Sequence, residues 1–251
     1  MTQVPHAAAL ARGRARQAAR RDIGVVTLTL TTGAVDAVTF LHLGKVFSSV
    51  ITGNMALLGV AAGSHNPALA VSGGVALAGY AVGALVAGAI ARTPERDQPV
   101  WPARVTVALA VELGVLAALS AGWLVTAGRP AGAIQLTLLS LAAAAMGMQS
   151  AAVRRLGQMS STYLTSTLTG VVVALAMRQR PRELQRSLGV FVAIVAGAVA
   201  GAIAGDAAIG WVPVAILIPL AVVVASCGGP SLVRIGGRSA QPAADAPVKD
   251  R

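Results

Sequence analysis

Long stretches of about 16 to 24 residues without a lysine or arginine recur down this chain, and they constrain it more than any other feature. They fall at about 23–43, 46–62, 68–91, 105–127, 131–153, 162–177, 187–209 and 211–229. At 1.5 Å rise per residue, about 20 apolar residues match the roughly 30 Å hydrocarbon thickness of a bilayer. Lipid offers a backbone no hydrogen bonds, so only helices or a closed barrel can cross it. The runs are continuous rather than alternating, which selects helices. The reading is an all-α polytopic transmembrane helix bundle.

Charge sorts the segments. Only 12% of the 251 residues are charged, against about 25% in soluble domains. Positive residues gather between the apolar runs. Eight crossings from a cytoplasmic N-terminus would put Arg92, Arg96, Arg104, Arg154 and Arg155 outside, against the positive-inside rule. If 46–62 and 162–177 are broken or re-entrant, six crossings remain and those arginines all lie inside, with both termini. The predicted organisation is a basic cytoplasmic tail over 1–22, a transmembrane domain over 23–229 and a disordered cytoplasmic tail over 230–251.

An internal repeat supports this count. GAVDAVTFLHLG (33–44) followed by ITGN (51–54) matches GMQSAAVRRLG (147–157) followed by LTG (168–170). Gly33 and Ala37 pair with Gly147 and Ala151, Thr52-Gly53 with Thr169-Gly170, and Gly79 and Gly83 with Gly197 and Gly201. Repeat one covers about 23–127 and repeat two about 131–229. An odd number of crossings per copy inverts the second, and inverted repeats with interrupted helices recur in transporters.

The block GAVDAVTFLHLGKVFSSVITGNMALLG, with Gly33, Asp36, Ala37, Phe40, Leu41, Leu43, Gly44, Phe47, Thr52, Gly53, Asn54, Leu57, Leu58 and Gly59, resembles the signature of the YoaK-like family of bacterial multi-pass membrane proteins. The second block also resembles that family's pattern, with Ser150 where asparagine is expected. The resemblance spans about 22–229. It implies about six helices in a bacterial cytoplasmic membrane and names no substrate.

The net charge of +11 comes with only 3% aromatic residues, and its arginines flank apolar runs. That pattern addresses lipid head groups rather than nucleic acid. The single Cys227 rules out an internal disulfide or a cysteine zinc site. No H-E-x-x-H, G-x-S-x-G or clustered His/Cys set points to an enzyme, a metal or a cofactor.

The residues that carry chemistry are polar groups at membrane depth. Asp36 and Glu112 are carboxylates within spans and must be protonated, paired or hydrated. Either handles protons or cations, or it makes a packing hydrogen bond to a nearby threonine or backbone break. Thr52, Gly53 and Asn54 interrupt an apolar run, as a re-entrant tip or a capped helix start. Gln149, Thr169 and Gly170 complete the expected solute or proton pathway. Asp206, His42 and the arginine pair 154–155 read as structural or interfacial groups. The expected function is transport or conduction of an unknown small solute, with protons as the candidate coupling ion. The alternatives are a structural or assembly protein and, with less support, a membrane-embedded enzyme.

Overall fold

The computed structural model describes residues 4–92, 101–156, 169, 172–173, 181–207 and 209–238. Among these the secondary structure is helical throughout. In chain order the helices are α1 (Val4–His42), α2 (Ile51–Gly63), α3 (Pro67–Ile90), α4 (Ala103–Val125), α5 (Gly132–Arg155), α6 (Pro181–Ala207) and α7 (Val212–Arg238), with a 3-10 turn at Ile209–Trp211.

Among the described residues, six helices carry windows long and apolar enough to cross a membrane: Arg16–His42, Pro67–Ile90, Ala103–Val125, Gly132–Arg155, Ser187–Ala207 and Ile209–Cys227. α2, at 13 residues, is about 20 Å long and too short to span. Among the described residues, the number of helices long enough to cross equals the six read from the charges. Residues 162–177 lie outside the described residues apart from Thr169 and 172–173. The tails depart from expectation, since helix begins at Val4 rather than near residue 23 and continues to Arg238.

The bundle has two distinguishable ends. At one, the Arg21 guanidinium donates to the Leu156 carbonyl at 3.5 Å and Arg104 to Ile90 at 2.9 Å. At the other, His42 sits 3.4 Å from Asp206 and edge-on to Trp123, whose indole N–H donates to the Ile209 carbonyl. These are the arginine end and the histidine end. α1, α4 and α6 run from the first to the second, while α3, α5 and α7 return. Leu156 and Gly189 both lie beside the start of the α1 span, against Arg21 and Val26. α5 thus ends, and the α6 span begins, at the same end of the bundle.

Two helix pairs dominate the packing, α1 with α6 and α3 with α5, and glycine makes both possible. A Cβ on Gly33 would collide with the backbone of Ile194 and Ala198, and one on Gly147 with Tyr80 and Ala84. A Cβ on Gly83 would strike the Ala144 carbonyl, and one on Gly197 the Leu30 carbonyl. The residues of the two crossings pair at a constant offset of 114: 33 with 147, 80 with 194, 84 with 198, 83 with 197, and 30 with 144. The same crossing is built twice. Close approach through small residues is how helices associate where lipid removes the hydrophobic drive, and it permits Cα–H···O contacts worth about 0.5–1 kcal/mol each. The glycine pairing read from sequence, Gly79 with Gly197 and Gly83 with Gly201, is one turn out of register. Gly83 is the partner of Gly197, because that match preserves the carbonyl each glycine meets.

Candidate functional site

The polar interior lies along α1. Thr29 and Thr32 donate back to the carbonyls of Val25 and Leu28, the usual way a membrane helix satisfies a hydroxyl. One turn further on, Asp36 is 7% exposed and meets the segment 43–50 rather than a helix. The backbone N–H groups of Ser48 and Ser49 each donate to Oδ1 at 2.8 Å, and the Ser48 hydroxyl donates to the same oxygen at 2.6 Å. The Ser49 hydroxyl donates to Oδ2 at 2.5 Å. Four donors, two of them backbone N–H groups, converge on one carboxyl group.

This fixes the depth of the connection. Asp36 lies six residues before the end of α1, hence about 9 Å below the histidine end. The chain leaves α1, turns at Gly44 and Lys45, both with positive φ (136° and 60°), and descends to Asp36. It then climbs back through α2. Gly44 is required there, because a Cβ would meet Ser72 of α3 as well as disfavour the backbone angle. The 43–50 connection folds back into the bundle onto Asp36, and α2 begins near that level with its N-terminus pointing inward.

Asn54 locks the same turn. Its side-chain amide donates to the Phe47 carbonyl at 2.6 Å while its Oδ1 accepts from the Phe47 N–H at 3.0 Å, so a buried side chain pairs with both backbone groups of one residue. Phe47 stacks on Phe40 with centroids 4.9 Å apart. Thr52 is exposed and Gly53 packs against Val50 and Phe47. Thr52-Gly53-Asn54 forms the first turn of α2 rather than the interruption itself, which lies at 43–50. The sequence reading missed Ser48 and Ser49, although two adjacent serines before an apolar helix were the available signal.

A second polar set lies deeper. Gln149 of α5 donates through Nε2 to the Thr32 hydroxyl at 2.6 Å and to the Leu28 carbonyl at 3.2 Å. Its Oε1 has no hydrogen-bond partner among the described residues, and neither do Thr31 Oγ1 or the two carboxylate oxygens of Glu112. Glu112 is completely buried. Asp36 is therefore satisfied and Glu112 is not. Thr169 is exposed, and Gly170 lies outside the described residues.

Asp206 pairs with His42 at the histidine end, its side chain 69% exposed. Among the described residues no group of three or more His, Cys, Asp or Glu is placed to hold a metal ion. An apolar crevice lined by Ala200, Ile203, Ala204, Trp211, Val214 and Ala215 contains no ionisable side chain.

Six helices long and apolar enough to cross a membrane among the described residues, packed at glycine crossings around a connection that folds back onto Asp36, define a multi-pass helical membrane protein. The chain belongs to the DUF1275 family of proteins of unknown function, whose pattern it matches over residues 24–227. It is 34% identical over 163 residues to the UPF0700 transmembrane protein YoaK of Bacillus subtilis (strain 168), a match covering 64% of this chain and 70% of that protein. No solved structure matches it.

Proposed function

We propose that this protein is a small-solute transporter of the bacterial cytoplasmic membrane, with its arginine end in the cytoplasm. The observation that carries the reading is the doubled glycine crossing. Two helix pairs related by one constant offset, in copies that run in opposite directions, form a bundle that can rock one half against the other about a midplane site. The re-entrant 43–63 segment adds support, since irregular backbone at membrane depth is tolerated only inside protein or beside a water-filled path. The orientation rests on Arg21, Arg92, Arg104, Arg154 and Arg155, which share one end of the bundle.

Asp36 serves this function as an anchor. With four donors on its carboxylate it holds the re-entrant turn in place, leaving Glu112 and Gln149 as the groups with free capacity.

The test is flux into proteoliposomes of the purified chain, screened over small cationic, neutral and anionic solutes with and without an imposed pH gradient. Uptake above protein-free vesicles, changed by the gradient, supports proton-coupled transport. Equal leak in both vesicle types across the screen, from protein shown to be folded and inserted, sinks the proposal in favour of a structural or assembly role.

A further inference from the structure

We infer that Glu112, Gln149 and Thr31 form a monovalent-cation site inside the bundle, occupied by a proton on the Glu112 carboxyl or by an alkali-metal ion. The inference deepens the transporter reading and takes its purpose from it, although its test does not depend on flux.

Three helix registers place these residues in one layer. α1 and α4 run in the same direction and face each other across the bundle, bridged by aromatic side chains rather than by close backbone packing, with Gly24 against the Trp101 ring near one end and His42 against Trp123 at the other. Counting inward from either contact brings Glu112 level with residues 31–35 of α1. α4 and α5 are antiparallel, with Gly122 against Leu138. Ten residues along each helix from that contact bring Glu112 level with Met148 and Gln149. Gln149 is itself bonded to Thr32, the neighbour of Thr31. The layer lies in the interior of all three spans.

The chemistry of the layer is rich in acceptors, with the Thr31 hydroxyl its one unused donor among the described residues. Gln149 spends its amide N–H groups on Leu28 and Thr32, which orients Oε1 as a free acceptor. The Glu112 oxygens are acceptors, and the Thr31 hydroxyl can accept. Four buried oxygens without a donor among the described residues disfavour an anion and suit a cation. Hard cations take oxygen ligands, and one carboxylate with neutral oxygens balances a single positive charge, not two. Among the described residues the nearest second acid is Asp36, one residue beyond the layer on α1 and already held by Ser48 and Ser49. On the helices packed against α4, the described ionisable side chains are Arg154 and Arg155 at the arginine end of α5, Tyr80 on α3 and Cys227 on α7. On α1 they are Arg16, Arg20, Arg21, Asp22 and His42 towards its ends, and Asp36, already held by both serines.

The experiment uses the full chain in detergent. Infrared difference spectra follow the carboxylic-acid C=O band across pH, and again at fixed pH on adding sodium, lithium or potassium in weakly buffered solution with a pH dye. The expected result is one protonated-carboxyl band that disappears as pH rises, is absent in Glu112→Gln and persists in Asp36→Asn. Release of about one proton per chain on adding an alkali ion identifies a cation that displaces the proton, while titration without such release identifies the proton as the sole occupant. A Glu112 band that ignores both pH and cations, or a wild-type spectrum without one that responds to neither, overturns the inference. Gel filtration of each variant guards against misfolding, and Gln149→Leu, which removes one ligand oxygen and keeps the carboxyl, must shift the titration. If it does not, Gln149 is no part of the site. Transport can fail in vesicles while this site titrates, and the reverse, so the two readings stand or fall separately.

Discussion

Asp36 and Ser49 are joined twice, by the Ser49 N–H to Oδ1 at 2.8 Å and by its hydroxyl to Oδ2 at 2.5 Å. This ties a membrane helix to a loop thirteen residues further on. Removing the acceptor strands several buried donors, each costing about 1–3 kcal/mol. Asp36→Ala is expected to lower the melting temperature in detergent strongly and to open residues 43–50 to protease. Asp36→Asn keeps an oxygen for the backbone N–H groups and is expected to be milder. Equal stability of Asp36→Ala and wild type would show that the clamp does not hold the turn.

The glycine crossings make a matched prediction. Gly83→Ala and Gly197→Ala each drive a methyl group into a carbonyl of the facing helix, so both are expected to destabilise the bundle to a similar degree. Gly88 and Gly114 meet nothing within 4 Å. Alanine there gains helix propensity of up to about 1 kcal/mol, and melting should be unchanged or slightly raised. Thermal unfolding of the four variants side by side decides it, and tolerance at Gly83 with damage at Gly88 would contradict the packing.

Much of this was legible in the sequence, for a physical reason. Span length and arginine placement are dictated by the bilayer rather than by neighbouring helices, so the six crossings and the short α2 could be read locally. The glycine register could not, because Gly79, Gly83, Gly197 and Gly201 look alike until the carbonyl each one meets is known. Asp36 and Glu112 were also indistinguishable as isolated acids. What separates them is Ser48-Ser49 folding back onto one and nothing described doing so for the other, a non-local fact. The repeat does not carry its chemistry with it. At an offset of 114, Gln149 corresponds to Val35 and Asp36 to Ser150, so a symmetric backbone presents different polar groups in each half.

Orientation is open to a direct test. Reporter fusions after residues 66, 98, 129, 182, 210 and 240 are expected to read out, in, out, in, out, in. The positions at 66, 129 and 210 adjoin the histidine end, and the arginines mark the other. A cytoplasmic signal at 66 would reverse the proposed orientation, and the same signal at 66 and 98 would remove α3 as a crossing.

Glu112 makes the sharpest stability prediction, because a site kept for function and a residue kept for folding respond in opposite ways. A buried carboxyl with no partner among the described residues is a net cost to the fold, about 1–3 kcal/mol even when neutral. Apolar residues of similar volume in place of buried ionic groups are often neutral or stabilising. Glu112→Met keeps the volume against its neighbours and removes the polar atoms, so the variant is expected to melt at least as high as wild type. At about 2–4 °C per kcal/mol for a chain of this size, a gain of several degrees is the anticipated scale. Glu112→Gln keeps the shape and a polar head and should fall between the two. The acid would then persist despite its cost, as expected of a group that must bind and release a cation. A drop of several degrees in Glu112→Met would instead make the carboxyl a structural hub bonded within the bundle, and the case for a cation there would lose its physical basis.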